Sequence, residues 1–309
     1  MNNVIALDHE FSKFNPLNKI ICYDDFDKGL NGWMDLHPNY VGNDFNTLRY
    51  SHVDKTQWGS IMLSSASFRL VGTHGSMNGN YSMKLATRPV AGGYTEAPVP
   101  GSFSHAIKRL TSHLPDGLRQ FEMWYSYTPE QDRQGLSEQA IRAFGVFFDI
   151  QDEAHRYFAG VRYVNAIDGE MIRRWQLFKA RDVSDLDWAY GVENDWCKKG
   201  IDAMWYGKRY ADGSTDGFEW IKDGQQDLCY NESDDKINWN YLRLVVDTKN
   251  RQYVELQSGN KTFDLRGISP TLTDSYARIN GLFNPGIWVE NDMGRRVFFY
   301  VDSTLISGE

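Results

Sequence analysis

Apolar side chains recur at every second position across residues 119–180 and again across 238–306. A half-buried β-strand demands this period, because successive side chains leave opposite faces of the pleat. Phe121, Met123, Tyr125 and Tyr127 share one face of the first strand, with Glu122, Trp124 and Ser126 on the other. Strands are expected over 142–150 and 156–164, joined by a turn at Gln151-Asp152-Glu153-Ala154, and again over 170–180. A second hairpin is expected over 238–248 and 252–257, turning at Lys249-Asn250-Arg251. Residues 283–290 and 297–306 continue the pattern. Strands are also expected at 20–23, over 61–71, which alternates well, and over 81–87. The stretch 102–113 fits a weak helical spacing or a strand, and its β-rich surroundings favour the strand. Residues 136–141 suggest one helical turn. Helix should make up less than about a fifth of the chain.

The chain has 309 residues, of which 14% are aromatic, with 10 Trp, 17 Tyr and 17 Phe. Aromatic residues favour strands and also offer flat plates to sugars. One β-sandwich domain over 1–309 is expected, since all-β domains often run past 200 residues. Residues 182–237 stand apart as an aromatic-rich insertion carrying Trp188, Trp196, Trp205 and Trp220, with a hairpin around 212–217. A connection that long inside a compact domain is usually functional or has its own structure.

Net charge is −8. An acidic chain repels a phosphate backbone, so no nucleic-acid partner is expected. No apolar run reaches the length of a membrane span. The first residues lack the basic and apolar regions of a signal peptide. The three cysteines, Cys22, Cys197 and Cys229, suggest a reducing compartment with no disulfide framework. A cytoplasmic protein is therefore expected. There is no G-x-S-x-G, P-loop, H-E-x-x-H or C-x-x-C motif.

Three segments suggest a family. Tyr23-Asp24-Asp25-Phe26-Asp27-Lys28-Gly29 leads to Trp33, and Gly79-Asn80-Tyr81-Ser82-Met83-Lys84-Leu85 follows. The chain closes on Phe298-Phe299-Tyr300-Val301-Asp302-Ser303-Thr304. This order resembles concanavalin A-like and carbohydrate-binding-module β-sandwiches, as does the hairpin over 238–257. The resemblance implies an all-β, antiparallel jelly-roll sandwich and an oligosaccharide or glycan as partner. It also implies a structural Ca²⁺ shared by Asp25 or Asp27 with Asp302, and no organic cofactor. The alternative is that these acids accept hydrogen bonds from backbone N–H groups or pair with Lys and Arg.

A sugar site needs an aromatic plate for the apolar ring face and polar side chains for the hydroxyl rim. Residues two apart on a strand share a side, which groups Glu122 with Trp124, Arg173 with Trp175, and Trp288 with Glu290. Arg162 and Tyr163 lie on the strand between. Trp124 and Trp175 are expected on one side of neighbouring strands, near Glu122, Arg162 and Arg173. The competing reading makes the tryptophans core and pairs the charges across the sheet. Glycoside hydrolysis would need two facing carboxylates, and Glu122, Asp149 and Glu290 are the strand-borne candidates. None sits in the E-x-D-x-x-E strand of jelly-roll glucanases. Glycan recognition is the leading expectation. A glycoside hydrolase or polysaccharide lyase, and an assembly sandwich without small ligand, are the alternatives. The sequence leaves the oligomeric state open.

Overall fold

The computed structural model describes residues 9–35, 58–65, 75–87, 103–110, 115–130, 137–179, 218–232, 238–274 and 280–309. Two sheets pack face to face. Sheet I runs in the order β14 (Lys261–Asp264), β13 (Gln252–Ser258), β12 (Asn240–Asp247), β7 (Leu118–Pro129), β17 (Val297–Gly308), β5 (Tyr81–Ala86) and β4 (Ile61–Ser65). β1 (Lys19–Asp24) also pairs with β17. Sheet II runs β11 (Phe218–Gln225), β10 (Glu170–Phe178), β9 (His155–Ile167), β8 (Ile141–Gln151), β16 (Leu282–Asn291), β6 (Phe103–Lys108) and β2 (Trp33–Asp35). β15 (Thr273–Asp274) adds to β9, and β3 (Trp58–Gly59) pairs with β6 in parallel. Every other pair is antiparallel, so the fold is an all-β jelly-roll sandwich. The helical content of the described residues is one 3₁₀ turn over Glu138–Ala140.

Both hairpins form as the alternation indicates. β8 pairs with β9 around Gln151–His155, and β12 pairs with β13. The ambiguous stretch near 102–113 is strand β6. Within the 182–237 insertion, Phe218–Gln225 is ordinary sheet, because β11 extends sheet II beyond β10. The hairpin expected at 212–217 lies outside the described residues.

The core is the aromatic layer between the sheets. β7 contributes Phe121, Met123, Tyr125 and Tyr127, all fully buried. β8 and β9 answer with Phe144, Val146, Phe148, Val161 and Tyr163. Tyr125 stacks on Phe299 with ring centroids 5.1 Å apart, and Phe144 meets Tyr127 at 4.7 Å. Such rings each bury well over a hundred Å² and dominate core energetics. With one face of each strand committed to this layer, the alternate residues turn outward. Those outward faces decide where a ligand can sit.

Candidate functional site

On sheet I, Glu122 and Trp124 of β7 point away from the core. Tyr241 of β12 stands directly opposite Trp124 in the register. The two rings sit 5.3 Å apart at 48°. Residues 9–18 cross this face as an arm tied to it through backbone groups. Lys13 O accepts from Trp124 Nε1 at 3.1 Å, and Asn15 O accepts from Gln120 Nε2 at 2.7 Å. Asn15 N–H donates to Glu122 Oε1 at 2.6 Å, and Leu17 N–H donates to Ser307 Oγ at 3.0 Å.

Arm and sheet enclose an open groove of about 380 Å³. Lys13, Phe14 and Asn15 form one wall. Trp124, Trp239 and Tyr241 supply aromatic surface, and Asn240, Gln257 and Gly259 complete the lining. Beneath it, the buried Glu122 accepts from Tyr241 Oη, Asn15 N–H and Gln120 Nε2. Burial pushes the Glu122 carboxyl above the ordinary carboxylate range, against those three donors, which favour the charged form. The polar tips of Trp124 and Tyr241 are thus consumed inside the protein. Trp124 donates to the arm and Tyr241 to Glu122, which leaves the carbon surface of these two rings to the groove.

The structure separates the expected site residues. Trp124 is on sheet I and Trp175 on sheet II, so they do not share neighbouring strands. Trp175 and Tyr163 are core residues that pack together at 5.3 Å. Trp175 Nε1 donates to Gln226 Oε1 and Tyr163 Oη to Gln226 O. Neither belongs to a surface ligand site. Arg173 lies where the β9–β10 register slips, with φ +52°, and pairs with Glu138 at 2.8 Å and Asp227 at 3.3 Å. That bulge breaks the parity linking Arg173 to Trp175.

Arg162, Trp288 and Glu290 do meet, on the outward face of sheet II. Glu290 Oε1 accepts from Trp288 Nε1 at 2.9 Å and from Arg162 Nη1 at 3.5 Å. Arg162 also donates twice to Gln176 Oε1 and lies over the Phe218 ring, 4.0 Å from its centre. Trp288 rests flat on Gly145, where an added Cβ would fall 2.7 Å from the indole. All of these side chains are buried. They form a closed polar network rather than an open sugar surface.

The three catalytic candidates do not converge. Glu122 is on sheet I. Asp149 faces Asn284 across β16, while Glu290 lies six residues further along that strand, roughly 20 Å away. Asp149 accepts from Arg156 Nε and Nη2, each at 2.5 Å. Paired carboxylates at hydrolase separations are absent among these residues.

The acids of the expected calcium site sit close in the fold but face donors. Asp27 Oδ1 accepts from the N–H groups of Asn80 and Tyr81 at 2.7 and 2.9 Å, and Asp25 Oδ1 from Asp27 N–H at 3.1 Å. Asp302 is the extra residue of a β-bulge between Val301 and Ser303. Lys13 Nζ lies 2.8 Å from its Oδ2, while Ser303 Oγ and Met77 N–H donate to the same carboxylate. Burial alone would raise its pKa, but Lys13, Ser303 and Met77 together hold it below the ordinary value. No three His, Cys, Asp or Glu side chains gather among the described residues. Lys13 and these N–H donors take the carboxylate oxygens that a shared Ca²⁺ would use.

The alternation on 238–248 could have exposed Trp239 and Tyr241 as outward residues beside Leu242 and Leu244. The arm residues Lys13 and Asn15 carry no pattern, because their grip on β7 runs through backbone atoms.

The family model described as Domain of unknown function (DUF6772) matches residues 1–309. The chain belongs to this family. No curated protein matched the DUF6772 chain. Among solved structures, a putative sugar binding protein from Bacteroides thetaiotaomicron VPI-5482 is 12% identical, covering 84% of this chain and 86% of its own, with a TM-score of 0.33. The Bauhinia forficata lectin in complex with GalNAc is 10% identical over 81% of this chain and 92% of its own, with a TM-score of 0.38. A legume lectin-like domain from Entamoeba histolytica is 10% identical over 80% and 88%, with a TM-score of 0.36. TM-scores this low carry no argument about what the DUF6772 sandwich binds.

Proposed function

We propose that this protein binds a glycan in the groove between the 9–18 arm and sheet I. The observation that carries this reading is the orientation of the Trp124 and Tyr241 rings. Their polar tips are tied inside the protein, so their faces form apolar plates beside the amides of Asn15, Asn240 and Gln257. A sugar ring has the matching halves, a C–H face and a rim of hydroxyls. Orientation by a few polar groups over an apolar floor is the usual economy of small-molecule sites. Among the described residues that line the groove, none is Asp or Glu. That favours recognition over acid–base hydrolysis, which needs two carboxylates at the bond.

Oligosaccharide titration monitored by tryptophan fluorescence tests the proposal. Saturable quenching is expected with at least one of the gluco-, manno-, galacto- and xylo-oligosaccharides. Trp124→Ala should weaken that binding by about tenfold or more, a loss of roughly 1.4 kcal/mol, while the far-UV spectrum stays β-rich. Binding that survives Trp124→Ala undiminished would place the sugar elsewhere.

A further inference from the structure

The groove has aromatic plates and amides, and the polar tips of two of its aromatic residues are committed within the protein. Trp124 Nε1 goes to Lys13 O and the Tyr241 hydroxyl to Glu122. Asn240 Nδ2 donates to Cys229 O at 3.2 Å, and Gln257 Nε2 donates to Gly259 O at 3.0 Å. The amide oxygens of Asn240 and Gln257 remain as acceptors, beside one further hydrogen on each amide nitrogen. An acceptor suits a hydroxyl, which can donate. It does not suit a carboxylate or sulfate, which can only accept.

Charge points the same way. Lys13 is the one cation among the described lining residues. Its ammonium lies 2.8 Å from Asp302, with the two side chains 10% and 3% exposed. Asp302 is itself fixed by Ser303 Oγ at 2.7 Å and by Met77 N–H at 2.5 Å, so both carboxylate oxygens are held in place for Lys13. The buried Glu122 lies beneath the plates, and the whole chain carries a net charge of −8. An anionic ligand would meet a neutralised lysine, spare acceptors and a negative field.

We infer that the groove selects uncharged over anionic glycans, and that Asp302 sets this selectivity by holding Lys13. The inference rests on the glycan reading above and adds the class of sugar. The bulge on β17 gives it a structural origin. One extra residue between Val301 and Ser303 turns the Asp302 carboxylate toward the arm, where it reaches Lys13.

The test is calorimetric titration of the full chain with matched pairs of tetrasaccharides. Each pair shares a linkage and differs only in charge: oligogalactose against oligogalacturonate, and oligomannose against oligomannuronate. The neutral member of a bound pair should bind at least about tenfold more tightly. Asp302→Asn leaves the Lys13 ammonium without its partner and should bring the acidic member to within about threefold of the neutral one. Adding Lys13→Gln to that variant should reopen the gap. An acidic member that binds wild-type protein as tightly as its neutral partner, with loss on Trp124→Ala, overturns the selectivity and leaves the glycan site standing. A gap unchanged in folded Asp302→Asn overturns the role of Asp302. If Asp302→Asn does not fold, the wild-type pairs alone still decide the selectivity. If no member of any pair gives a signal that depends on Trp124, the glycan reading falls, and this inference falls with it.

Discussion

Glu122 should behave as the peg that joins the arm to the sheet. Its carboxylate has no exposed surface and receives three donors, the Asn15 N–H, the Tyr241 hydroxyl and Gln120 Nε2. Glu122→Ala strands all three. A donor left without a partner costs about 1–3 kcal/mol when buried. Asn15 is exposed and Tyr241 partly so, which lets water recover some of the loss. The low end of that range for each group gives a loss of about 3 kcal/mol. Glu122→Gln keeps the shape and one acceptor oxygen, and removes a charge that burial disfavours, so its cost should stay near 1 kcal/mol.

The pH dependence follows from the same burial. The Glu122 pKa is raised in the folded state. The folded protein therefore holds this proton more tightly than the unfolded chain does. The stability Glu122 contributes is fully present below its unfolded pKa and is lost as pH rises through the folded value. Glu122→Gln should remove that decline. Urea unfolding between about pH 4 and pH 8 reads both effects as a shift of midpoint at constant slope. Tryptophan emission should also move to the red in Glu122→Ala, because Trp124 is bonded to Lys13 of the arm. An alanine variant within about 0.5 kcal/mol of wild type, or one equal to the glutamine variant, would refute the reasoning.

Trp175→Ala should cost about 3–5 kcal/mol, as expected for a large ring deleted from a packed core, and a thermal melt measures it against the milder Trp124→Ala. A chelator should leave the melting temperature unchanged, because Lys13 already neutralises Asp302; a shift of several degrees, with Ca²⁺ found by elemental analysis, would restore the metal site. Asp302 has a lowered folded pKa, so its contribution is present above the unfolded aspartate value and is lost as pH falls through the folded one. Asp302→Asn should accordingly flatten the acid limb of the stability profile, as denaturant midpoints below about pH 4 would show.

The sheet framework was legible because alternation is a local signal. The faces of β7, the β8–β9 and β12–β13 hairpins and the strand at β6 follow from residue parity. Parity cannot say which sheet a strand joins, and so Trp124 and Trp175 parted. It also fails at bulges, where an extra residue flips the count. The slip in β10 detached Arg173 from Trp175, and the slip in β17 turned Asp302 toward Lys13. Nor does parity report burial from above. Trp288 faces outward as the pattern indicates, yet it is fully covered and bonded to Glu290. The docking of the arm was not legible in the sequence, because its grip on Glu122, Gln120 and Trp124 runs through main-chain atoms of Lys13 and Asn15. The ends that resemble sugar-binding sandwiches do lie together, with Asp27 on the N–H groups of Asn80 and Tyr81.

A crystal of the full chain soaked in a neutral oligosaccharide that quenches its fluorescence tests the central claim most directly. The account predicts a sugar ring lying over Trp124 and Tyr241, with hydroxyls turned to Asn240 and Gln257 and the arm wall at Asn15 still in place. Sugar density on the outward face of sheet II, beside Arg162 and Glu290, would contradict it, as would an empty groove at a concentration that saturates the signal.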